Sequence, residues 1–218
     1  MTRSSARVDR TLRVLEAPRP GAAPPPPAQD FWQSFPPQLA QELEFPSERI
    51  ALLPFQLAGR MTVRSLVTLA RASTATTVVA WAIYVLEGTA PANASSETDV
   101  AGRARWRLVR PLGAMGIAVA GAHARYSLWL EEGVTLEPGV IYGLALHPDT
   151  TGAGAALLIR PDMGAGGFTL LECESGGVAV GDFPTEIFPT LGPGYSPPFH
   201  VILRSLRGVQ AFGVPGLG

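Results

Sequence analysis

Three histidines, His123, His147 and His200, are the side chains of this chain best suited to proton transfer or to zinc. Zinc sites place their ligands at short, repeated spacings. These three are far apart and share no such spacing, so surface or satisfied core positions are expected. Glu131 and Glu132 are adjacent carboxylates, which diverge on a strand and make a poor acid–base pair. Asp162 and Glu172 carry no local signal that brings them together. No Gly-x-Ser-x-Gly elbow is present. Gly164-Ala165-Gly166-Gly167 is glycine-rich, but no Lys-Ser/Thr follows and no helical pattern begins there, so it reads as a turn. Cys173 is the single cysteine, which excludes an internal disulfide and a multi-cysteine zinc site and points to a buried structural thiol. No catalytic residue, cofactor site or metal ligand is assigned, and the chain is expected not to be an enzyme.

The sharpest electrostatic feature is Arg103, Arg105 and Arg107, interleaved with Ala104, Trp106 and Leu108. On a strand the arginines share one face, with heads about 7 Å apart. A solvated face that blocks edge aggregation is one reading. A contact with acidic residues of a neighbouring subunit is the other. Nucleic acid is disfavoured because the net charge is -1.

Aromatic residues offer a second kind of chemistry, stacking. Phe31, Trp32 and Phe35 stand beside a proline-rich stretch, either as an anchor for a partner or packed on the chain's own domain. Trp81, Trp106 and Trp129 fall in strand patterns, where core packing is expected over a sugar platform. Asn93-Ala94-Ser95 matches a glycosylation sequon, discounted because no secretory signal pattern is seen. That reading predicts synthesis in the cytoplasm. No apolar run reaches membrane-spanning length, so no membrane partner is expected.

The elements that must position these residues are strands. Charged residues are only 16% of the chain, well below the usual quarter, so much of the surface must be small or apolar and suited to burial in an assembly. All the basic residues are Arg and Asn93 is the only Asn, which a genome rich in G and C would explain. Residues 1–48 read as an extended arm. Val8, Leu12 and Leu15 fit one short helical face; Pro24–Pro27 is a polyproline spacer; Ser34, Pro36, Leu39 and Leu43 fit a second short helix. Residues 49–204 read as β. Met61, Val63, Val67 and Leu69 alternate with polar residues, and residues 76–86 are apolar on both faces, as in a central strand. Roughly ten strands with turns between them predict an antiparallel sandwich. Residues 205–218 form a glycine-rich tail.

The β region resembles the jelly-roll domain of structural proteins of tailed bacteriophages, of the head decoration, head fibre or tail fibre type. The likeness rests on Leu53-Pro54-Phe55 followed by Met61-Thr62-Val63-Arg64-Ser65-Leu66, on Ala82-Ile83-Tyr84-Val85, on Leu136 to Leu146, and on Pro197-Pro198-Phe199 to Arg204. These motifs are short and mostly structural. The loop from Val85 to Pro91 is longer and less acidic than in that family, so no metal or sugar site is carried over to it. The resemblance implies an all-β, jelly-roll-like fold and a virion location. It also implies a homo-oligomer, preferably a trimer. The expected function is structural: an arm that binds other virion proteins, of capsid or tail, through Leu12, Leu15, Phe31, Trp32 and Phe35. Recognition of a host-surface glycan by the sandwich is the alternative.

Overall fold

The computed structural model describes residues 28–34, 40–44, 49–72, 75–89, 103–119, 123–149, 156–161, 171–174, 179–191 and 200–205. Leu12, Leu15 and Phe35 lie outside them, as do the polyproline run, the glycine-rich turn and the C-terminal tail.

The described residues are all-β. In chain order the strands are β1 (Phe31–Gln33), β2 (Ala40–Glu44), β3 (Arg49–Gln56), β4 (Met61–Ala72), β5 (Thr77–Thr89), β6 (Ala104–Ile117) and β7 (Ala124–Leu136). β8 (Ile141–Pro148), β9 (Ala156–Pro161), β10 (Leu171–Glu174), β11 (Glu186–Ile187), β12 (Thr190–Leu191) and β13 (Val201–Arg204) follow. They form two antiparallel sheets packed as a sandwich. The larger runs β11-β6-β5-β8-β3-β10-β12. The smaller is built around β4. One edge of β4 pairs with β7, and the other pairs with β13 and then with β9; β1 extends β13 and β2 extends β9.

Alternation builds the space between the sheets. Leu53, Phe55, Val79, Trp81, Ile83, Leu144 and Leu146 come from the larger sheet. Met61, Val63, Leu66, Val134, Leu136, Val201 and Leu203 come from the smaller, and all are buried. The apolar character of β5 on both faces has a second cause. Its other face, with Ala80, Ala82 and Tyr84, enters a separate core with Ile50, Leu52, Trp106, Ala145, Phe183 and Ile187. Val180 and Phe183, in the segment that leads into β11, pack onto that face, and β11 itself extends the sheet beside β6. Tyr84 Oη donates to Pro184 O at 2.7 Å, and Leu108 N donates to Thr185 O at 2.8 Å.

Two glycines have mechanical roles. Gly139 has φ +78°, a left-handed position that closes the Pro138-Gly139 turn into β8. Gly143 lets β8 approach its neighbour: a Cβ there would lie 2.5 Å from Leu52 Cδ1.

Two expectations need correction. Ala40–Glu44 is a strand paired with β9, not part of a short helix. The sandwich also takes in residues before 49, because β1 and β2 are members of the smaller sheet. In both cases pairing with distant strands overrides the local pattern. At Ala179 a turn closes, with Asp182 N donating to Ala179 O.

Candidate interaction surface

The outer face of the smaller sheet carries the most suggestive arrangement. Strand register gives one lateral row: Phe31 opposite Arg204, Arg204 opposite Ser65, Ser65 opposite Trp129. Directly paired residues share a face. The next row along, Trp32, Leu203, Leu66 and Leu128, points inward and is buried or half-buried. The outward row stands on this packed layer, and Ser65 within it is buried.

Phe31 and Trp129 are each 61% exposed, at the two ends of that row. Three strand spacings separate them, about 14 Å. Between them Arg204 is half-buried, and its pKa is lowered by burial and then by the charge of Arg125. Neither arginine has a carboxylate partner among the described residues. Two flat aromatic faces flanking uncompensated guanidinium charge can stack on a ring and hold an anion. The alternation of β7 shows that Trp129 shares a face with Arg125, Ser127 and Glu131. That polar company is the signal in the sequence that this tryptophan is not a core residue. Trp81 and Trp106 are buried, as expected.

The three aromatics assigned to the arm part company. Trp32 packs on Phe55, with ring centroids 4.6 Å apart, so it belongs to the chain's own core. Phe31 faces outward. Around them the segment 28–34 is fastened to the sandwich. Gln29 N donates to Arg60 O, Gln29 Oε1 accepts from Ala58 N and Gly59 N, and Ser34 exchanges hydrogen bonds with Val201.

Arg105 and Arg107 alternate along β6 with Ala104, Trp106 and Leu108, and Arg103 lies just before the strand begins. The chain supplies its own acids to two of them. Arg105 lies 2.7 Å from Glu186 and 3.5 Å from Glu87, and Arg107 also pairs with Glu87. These contacts tie β11 and β5 to β6, at the modest strength of exposed ion pairs.

The other residues with chemical potential are sequestered. Burial, and then Glu172, pushes the Cys173 thiol up to about 12, so the reactive thiolate is suppressed. Glu172 is buried against Arg49, 2.8 Å away. Among the described residues no group of three metal-ligating side chains occurs. No helix in them is long and apolar enough to cross a membrane.

His147 is fully buried, its ring 6.1 Å from that of Phe183, and neither ring nitrogen has a hydrogen-bond partner. Burial lowers its pKa, against a smaller upward pull from Asp149. The neutral ring is thus the folded form. Unfolding restores an ordinary pKa near 6.5, so the unfolded chain binds a proton first as pH falls. This contribution to stability is complete above about pH 6.5 and is lost as pH falls toward the folded value. His200, lowered by burial, acts in the same direction. The melting temperature is expected to drop between about pH 7 and 5. His147→Leu should flatten that drop; melting curves that shift in parallel for both proteins would contradict it.

Comparison with protein-family models, with curated proteins and with solved structures found no match.

Proposed function

We propose that this chain is a non-enzymatic structural protein of a bacteriophage virion, with jelly-roll connectivity, which decorates or stabilises the capsid or joins tail components. The reading draws on the resemblance of residues 49–204 to that family, the low charge and the sandwich architecture. One observation carries the arm's part in it. The chain is pinned to the sandwich from Gln29 onward by backbone and side-chain hydrogen bonds and by Trp32. We assign the contact with another virion protein to residues 1–27, which include Leu12, Leu15 and the proline-rich spacer. An extended segment leaving a fixed point can cover a large surface on a partner.

Removal of residues 1–27 tests this. The expected product is a folded sandwich of unchanged melting temperature that fails to incorporate into particles. Normal incorporation would overturn the arm's role. Removal of residues 1–34 should lower stability as well, because it strips Trp32 from Phe55 and β1 from β13.

The row Phe31–Arg204–Ser65–Trp129 favours a second reading, recognition of a host-surface glycan bearing a carboxylate. Stacking would come from the aromatics and charge pairing from Arg204. In that case Trp129→Ala particles assemble normally and lose adsorption.

A further inference from the structure

β7 is 13 residues long. Among the described strands it pairs only with β4, through one edge. β6 approaches from the facing sheet: Arg110 Nη2 reaches Glu132 Oε2 at 3.0 Å, and Leu128 packs beside Gly113. It does not pair with β7. A long strand with an unpaired edge is a template for another strand unless something blocks it. Proline, a bulge and outward charges of one sign are the usual blocks; the irregularity of β7 against β4 falls between Trp129 and Val134, and residues 124–129 run in regular register. β7 has no proline, and its outward charges at Arg125 and Glu131 have opposite signs. Arg64 bonds the carbonyl of Glu131 and leaves its carboxylate outward. Neither Arg125 nor Glu131 forms an ion pair among the described residues.

We propose that β7 pairs with β7 of a second copy of this chain, antiparallel about a two-fold axis at Leu128, so that two smaller sheets join into one. The register follows from the side chains. Faces must match across a continuous sheet, which limits the choice to shifts of two residues. Centred on Leu128, Arg125 stands opposite the partner's Glu131, and Glu131 opposite the partner's Arg125. Ser127 stands opposite the partner's Trp129, a small residue beside a large one. Centring on Trp129 sets two indoles against each other and Arg125 against a glycine. Centring on Ser127 sets Arg125 against tryptophan. Only the Leu128 register gives two ion pairs and two small–large pairs. Isologous contacts of this kind are self-complementary and closed. The contact yields a dimer in place of the trimer that the family resemblance implies, and it brings two exposed tryptophans onto one joined face.

The contact is small, so a weak and reversible dimer is expected, populated at roughly 100 μM. Sedimentation of the full chain at that concentration should give a mass of two copies. Arg125→Glu and Glu131→Arg each set like charges opposite each other twice, and each should weaken dimerisation about tenfold or more. Mixed together they should dimerise again, since every cross-strand pair in the mixed dimer is then complementary. Circular dichroism of each variant controls for folding, which exposed substitutions should leave intact. A monomeric or trimeric parent protein would overturn the proposal. So would single variants that still dimerise, or a mixture that stays monomeric.

Discussion

Trp81→Ala is expected to lower the free energy of unfolding by about 3–5 kcal/mol, against less than about 0.5 kcal/mol for Trp129→Ala. The two indoles are chemically the same, and only their surroundings differ. Trp81 is 0% exposed at the centre of β5, between Gly113 of β6 and Leu146 of β8. The inter-sheet core closes around the ring. Truncation there leaves a cavity lined by strands that are paired on both sides and cannot collapse into it. Trp129 stands on the outer face of the smaller sheet, and its loss returns little apolar surface to water. Urea unfolding followed by circular dichroism at about 1 μM, where a weak dimer is dissociated, measures both. Equal losses would show that the outer face is covered in solution and would remove the basis for reading it as an interaction surface.

That contrast marks what periodicity can and cannot tell. Alternation in β4, β6 and β7 assigns residues to faces, so the division of Arg105 and Arg107 from Ala104, Trp106 and Leu108 is legible. It does not say which face another element covers. β5 is apolar on both sides because Phe183 and its neighbours pack on the outer face of the larger sheet, and nothing local near Phe183 announces that role. The same limit applies to Trp32 and Phe31. They are neighbours in sequence and point to opposite faces, so one is core and the other is surface. Ala40–Glu44 departs from its local pattern for a different reason. Ala, Gln, Glu and Leu favour helix locally, whereas the strand exists through pairing with β9, more than a hundred residues later. The acids that neutralise Arg105 and Arg107 also come from distant segments, through strand pairing that sequence distance hides.

The covering segment gives the second large effect. Phe183→Ala is expected to cost about 3 kcal/mol and to loosen residues 179–187 before the rest of the sandwich opens. Ala80, Ala82 and Ala145 leave a shallow floor on the outer face of the larger sheet, and the Phe183 ring packs above it. It meets Tyr84 edge-on, with centroids 6.4 Å apart, and lies beside His147. Its removal takes away the apolar contact that holds the segment over Ile50, Leu52 and Trp106. Tyr84→Phe deletes only the hydrogen bond to Pro184 O and should cost about 1 kcal/mol. Hydrogen exchange separates local from global effects, because the Leu108 amide is held by Thr185 O. In Phe183→Ala that amide should exchange much faster, while amides of β5 near Trp81 change only as far as global stability falls. A Leu108 amide that stays protected would mean that Ile187 and its strand pairing to Trp106 hold the segment without the ring. The second core would then depend on β11 and not on Phe183.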